Sequence, residues 1–97
     1  MHLNKENIET IKRYFSQKPV LKAYIFGSQA RGEADENSDI DLLVELDYSE
    51  KIGLLFLQMQ VELEDLLHKK VDLVSSKGLS KYIKPTVDQE KRLIYAR

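Results

Sequence analysis

Cysteine is absent from the 97 residues, so a disulfide framework and a thiolate zinc site are both excluded, and a reducing compartment is compatible with the chain. No apolar run approaches the roughly 18–20 residues needed to span a bilayer, and the first twenty positions mix Lys, Glu and Asn where a signal peptide would carry its apolar core. A soluble, unexported, cytoplasmic protein is the expectation. With four glycines and two prolines, no stretch is rich enough in them to act as a linker. Internal repeats and low-complexity tracts are missing too, so a single domain over residues 1–97 is expected. An excess of one charge sign is also lacking, since the net charge is −1. The charges are segregated, however. Residues 1–34 sum to +3, residues 35–65 to −9 and residues 66–97 to +5. An acidic middle between basic ends is not the basic surface of a general nucleic-acid binder, and no direct nucleic-acid binding is expected. It suits a cation held beside an anionic ligand. Hydrophobic residues at 42% and charged residues at 32% place the chain among those that fold. At this length folding buries only about 60–65% of the unfolded surface, which implies modest stability.

Periodicity then divides the chain into elements. Residues 4–17 read as a helix, with Asn4 as N-cap, Glu6 in the positive first turn, and Ile8, Ile11 and Phe15 on one stripe. Pro19 marks its end. Val20 to Phe26 is rich in β-branched and aromatic residues and stops at Gly27, which makes it a strand. Residues 28–37 hold a short helical turn and a polar loop. Ile40, Leu42 and Val44 then alternate with Asp39, Asp41, Leu43 and Glu45 as a second strand with one apolar face. Between Lys51 and Lys69, Ile52, Leu55, Phe56, Met59, Leu63, Leu66 and Leu67 follow helical spacing and predict a long helix packed on the sheet. A second stripe, Leu54, Leu57 and Val61, lies off that face and calls for a second cover or a partner. Val71 to Val74 reads as a third strand, and a turn at residues 75–78 leads to a last helical region broken near Pro85. No element is assigned beyond Glu90. Strands alternating with helices predict an α/β (α+β) domain, a small mixed β-sheet covered by helices. Tyr14, Tyr24 and Phe26 read as packing residues. His68 suits a helix C-terminus and His2 a frayed end, and neither is offered as a ligand.

Chemistry concentrates in Phe26-Gly27-Ser28-Gln29-Ala30-Arg31-Gly32 and, after a polar loop, Ser38-Asp39-Ile40-Asp41-Leu42. A glycine at a strand end followed by a short helix brings backbone N–H groups to a point where phosphate can bind, and Ser28 adds a hydroxyl. Asp39 and Asp41, at i and i+2 on a strand, project their carboxylates from one face while Ile40 and Leu42 point into the core. Such a pair repels itself unless it is hydrogen-bonded, shares a proton or chelates a cation, and hard Mg²⁺ favours carboxylates together with phosphate oxygens. Asp72, between Val71 and Leu73, faces away from the core side and offers a third carboxylate, with Glu45 and Glu64 as competitors for that place. Three such groups are what a two-metal phosphoryl-transfer site requires.

Other motifs fail. Glu33-Ala34 stands where a P-loop needs Lys-Ser/Thr, and Ile40 and Leu46 replace the glycine and closing glutamate of an EF-hand. G-x-G-x-x-G, a zinc-spaced histidine pair and a serine elbow are all absent.

Gly27-Ser28, ten intervening residues and Asp39-x-Asp41 resemble the signature of the DNA polymerase β-like nucleotidyltransferase superfamily. Gly-Ser-Gln-Ala-Arg-Gly, Ser-Asp-Ile-Asp-Leu-Leu-Val and the later Lys-Val-Asp-Leu-Val resemble its minimal nucleotidyltransferases, the MNT antitoxins paired with HEPN-domain toxins. The resemblance runs over about residues 20–76 and reaches Leu79-Ser80 and Ile83-Lys84-Pro85. It implies the polymerase β-like fold, with Asp39 and Asp41 ligating Mg²⁺ (two ions) and Asp72 completing the site as candidate base. It also implies that Gly27 and Ser28 hold the triphosphate, with Arg31 as a further phosphate contact. The implied reaction moves AMP from ATP to a tyrosine hydroxyl of the HEPN partner in a heteromeric complex. Two alternatives stand beside it: an antitoxin that acts by contact alone, through Leu54, Leu57 and Val61, and a small-molecule nucleotidyltransferase of the aminoglycoside-modifying kind.

Overall fold

Asn4 opens the first helix: its side-chain oxygen accepts the Asn7 N–H at 2.7 Å, satisfying one of the orphan donors of the first turn. The computed structural model describes residues 3–35 and 37–97, so His2 lies outside the described residues. Helix α1 spans Lys5–Phe15 and buries Ile11 and Phe15. Asn4→Ala is expected to cost about 1 kcal/mol, read as a melting temperature lower by roughly 4–8 °C for a domain of this size. A melting curve unchanged from wild type would show the cap to be idle.

Strand β1 (Val20–Phe26) ends at Gly27, helix α2 is the single turn Ser28–Arg31, and β2 covers Ile40–Leu46. Helix α3 runs Leu55–Leu67 and β3 Val71–Ser75, followed by a 3₁₀ turn at Ser76–Gly78 that the Ser75 side chain caps. Helix α4 (Lys84–Glu90) and strand β4 (Arg92–Ala96) complete the chain. The strands lie in the order β3-β2-β1-β4. β1 is antiparallel to both β2 and β4, and β2 is parallel to β3, so the sheet is mixed.

Both long helices cover one face. Ile11 and Phe15 from α1 join Met59, Leu63 and Leu67 from α3 against Ala23, Ile25, Ile40, Leu42, Val44, Val71 and Leu73. The alternate strand residues, among them Tyr24, Asp41 and Asp72, therefore lie on the opposite face. There α4 comes down, with Lys91 Nζ 4.6 Å from the centre of the Tyr24 ring. On the outer edge of the sheet the N–H groups of Val71 and Leu73 donate to Glu64 Oε2 at 3.0 Å and Gln60 Oε1 at 3.3 Å, so α3 side chains satisfy edge amides that would otherwise invite a further strand.

Four details differ from the sequence reading. α3 begins at Leu55, not Lys51, because Gly53 adopts a positive φ of 42° that a helix cannot accommodate. Leu66 is 50% exposed, because the buried stripe follows Met59, Leu63 and Leu67 at strict four-residue steps. Leu43, on the carboxylate face, is buried, as befits a strand with neighbours on both sides. Finally, Pro85 does not break the last helix but sits in its first turn, where its missing N–H costs nothing, and β4 follows directly.

Candidate active site

Gly27 ends β1 with φ 72° and ψ −151°, a combination open almost only to glycine. The single turn of α2 then closes on Gly32, itself left-handed at φ 76°. Opposite the end of β1, Phe26 pairs with Asp41 of β2, and Asp41 pairs in turn with Asp72 of β3. Register partners on adjacent strands project from the same face, so Asp72 stands beside Asp41. Asp39 precedes β2 by one residue and is exposed. The glycine leaves no room for a side chain beside Asp41: a Cβ added to Gly27 would lie 2.2 Å from Asp41 Oδ2.

Glu45 and Glu64 are engaged elsewhere. Glu45 accepts the Tyr24 hydroxyl at 2.9 Å, about 13 Å along the strand from Asp41, and Glu64 serves the Val71 N–H on the core side.

Electrostatics ties the aspartates together. Burial pushes the Asp41 carboxyl up to about 6, and the charges of Asp72 and Asp39 add to the shift; Arg31 opposes it and Glu90 reinforces it. Like charges in a partly dehydrated place make the ionised form costly, and a divalent cation would remove that cost. Among the described residues no three Asp, Glu or His groups form a ready metal cage. Mg²⁺ retains waters and is bound through one or two carboxylates plus substrate phosphates, so it does not require such a cage. The donor set of hard carboxylate oxygens at Asp39, Asp41 and Asp72 thus fits such an ion.

Arg31, expected at the phosphates, is paired with two carboxylates. Its Nε donates to Glu33 Oε1 and its Nη1 to Glu90 Oε1, both at 2.9 Å, and these two carboxylates hold the guanidinium in its charged form. Glu90, at the end of α4 and 59 positions from Arg31, is the neighbour that sequence reasoning missed. Two residues on, Arg92 Nε donates to the Ala30 carbonyl at 3.4 Å, so the start of β4 is tied to α2.

The family model described as polymerase beta, nucleotidyltransferase matches residues 9–97. The chain belongs to this nucleotidyltransferase family. It is 40% identical over 94 residues to the protein adenylyltransferase MntA of Thermococcus cleftensis, the match covering 91% of this chain and 93% of that protein. A solved structure assigned as a minimal nucleotidyltransferase superposes with a TM-score of 0.77 at 32% identity, covering 94% of this chain and 96% of the other. The MNT antitoxin solved with a tri-AMPylated HEPN toxin of Shewanella oneidensis shares the fold, with a TM-score of 0.73 at 18% identity and coverage of 98% and 74%. The polymerase β-like nucleotidyltransferase fold is therefore that of this chain, in which no helix among the described residues is long and apolar enough to cross a membrane.

Proposed function

We propose that the protein is an Mg²⁺-dependent protein adenylyltransferase that moves AMP from ATP onto a tyrosine hydroxyl of a HEPN-domain toxin and thereby neutralises it. The observation that carries this reading is the register Phe26–Asp41–Asp72 with Gly27 pressed against Asp41. Family membership and the adenylyltransferase relative support the reaction class, and the HEPN complex of the Shewanella homologue supports the partner.

In this reading Asp39 and Asp41, with Asp72 completing the set, hold the metal. Bound Mg²⁺ would offset the triphosphate charge and lower the pKa of the acceptor hydroxyl. Gly27 lets the chain approach the phosphates without a side chain, Ser28 offers a hydroxyl, and Arg31 supplies positive charge. The tyrosine oxygen forms a bond to the α-phosphorus as the α–β phosphoanhydride breaks, and pyrophosphate leaves. The phenol, with an ordinary pKa near 10, passes its proton to a carboxylate, for which Asp72 is best disposed.

The test is mass spectrometry of a co-expressed HEPN partner. One added adenylyl unit per modified tyrosine, dependent on ATP and Mg²⁺, is the expected result, and an unmodified partner under those conditions counts against it. A contact-only antitoxin is the second reading, favoured by the exposure of Leu54 (84%), at the start of α3, and of Leu57 (60%) and Val61 (49%) within it. Toxin neutralisation that survives intact in Asp41→Asn, with modification lost, would decide for it.

A further inference from the structure

Two carboxylates share one guanidinium beside the aspartates. Glu33 follows Arg31 by two residues and its side chain is 58% exposed, whereas Glu90 arrives on α4 and is only 21% exposed. Water therefore screens the Glu33 pair more than the Glu90 pair. Two residues beyond Glu90, Arg92 at the start of β4 is bonded to the Ala30 carbonyl of α2, which keeps this end of the chain near Arg31. The Glu90 charge also reaches Asp41, so it belongs to the same electrostatic neighbourhood as the aspartates. Glu33 and Glu90 bond Arg31, and the charges of Arg31, Glu90, Asp72 and Asp39 all reach Asp41; even with Arg92 close by, these carboxylates leave a formal excess of negative charge that repels a polyphosphate.

We propose that Glu90 is a positioning residue: by holding Arg31 at 2.9 Å it keeps the guanidinium from a metal-free nucleotide and makes triphosphate entry conditional on a divalent cation. This rests on the reading that the triphosphate meets Arg31 beside Asp39 and Asp41. A polyphosphate arriving without metal meets the negative excess and must also strip Arg31 from two charge-assisted hydrogen bonds. One arriving with divalent cations meets carboxylates whose charge is offset, and its multiply charged tail then outcompetes a single carboxylate for the guanidinium. The exchange needs only a new Arg31 side-chain conformation, since α2 and the start of β4 are linked by the Arg92–Ala30 bond.

The experiment is calorimetric titration of the full chain with the non-hydrolysable analogue AMP-PNP, with Mg²⁺ and with EDTA. Wild type is expected to bind with Mg²⁺ and to bind far more weakly in EDTA. Glu90→Gln, which retains the size and an acceptor oxygen but not the charge, is expected to gain about threefold in the EDTA arm, the worth of a partly exposed ion pair, and much less with Mg²⁺. The gain should vanish when Arg31→Gln is added. Glu90→Met, uncharged and of similar length, should show the same gain and serves where Glu90→Gln folds poorly. An unchanged or weaker EDTA affinity, or a gain that persists with Arg31→Gln, overturns the role of Glu90 while leaving the proposed function intact. Failure of wild type to bind AMP-PNP with Mg²⁺ overturns both.

Discussion

Asp41→Asn is expected to lower AMP transfer by roughly 10³-fold, the several kcal/mol that a metal-held charge contributes to such a step, while making the metal-free protein more stable. The second half follows from the sign of the linkage. In the folded chain the Asp41 carboxyl is raised from 3.8 to about 6, so between these pH values the native state holds a proton that the unfolded chain has released. Native stability then falls as pH rises through that window. Because Asp41 is only half-buried, solvent screening reduces the effect to about 1 kcal/mol at neutral pH. Asparagine carries no charge to desolvate or repel, so Asp41→Asn should melt about 4–8 °C above wild type at pH 7.5 in EDTA. The difference should close near pH 4, where wild type is protonated in the folded state too. Mg²⁺ should stabilise wild type and leave the variant almost unmoved. Equal melting points at pH 7.5 would falsify the claim that Asp39 and Asp72 crowd Asp41.

The parts of the site legible in the sequence are those set by local rules. Gly27 at the end of an apolar run and the two-residue step from Asp39 to Asp41 are visible because strand alternation and glycine's backbone freedom act over a few residues. Asp72 was legible only as a carboxylate on the right side of its own strand. Its place beside Asp41 depends on the β2–β3 register, which no local pattern encodes. β4 was not legible, because Arg92–Ala96 is an edge strand whose side chains are all exposed or half-exposed, and such a strand leaves little alternation to read. It is held by pairing with β1, and the Arg31–Glu90 bond follows from that same long-range closure. Pro85 misled for a related reason: a proline that ends one helix and a proline that starts another look alike until the flanking chain is placed.

Gly27→Ala should damage fold and site together. At φ 72° and ψ −151° an alanine carries backbone strain of about 1–3 kcal/mol, a large share of the stability of a domain this small. The new methyl would also lie 2.2 Å from Asp41 Oδ2 and 3.2 Å from its Cγ. Asp41 cannot retreat with its backbone, since β2 is paired on both sides, so its carboxylate must swing away from Gly27 and leave its place beside the turn. The expected outcome is a urea midpoint well below wild type together with a loss of AMP transfer comparable to that of Asp41→Asn. The two contributions separate in a double variant. Gly27→Ala with Asp41→Ala removes the colliding oxygen and Cγ, after which the Asp41 Cβ stands at an ordinary 3.5 Å. Stability should then recover by the share due to collision and not by the share due to strain. Full recovery would mean that the unusual backbone at Gly27 costs alanine nothing. No recovery would mean that Asp41 swings aside freely and that the glycine is there for the turn alone.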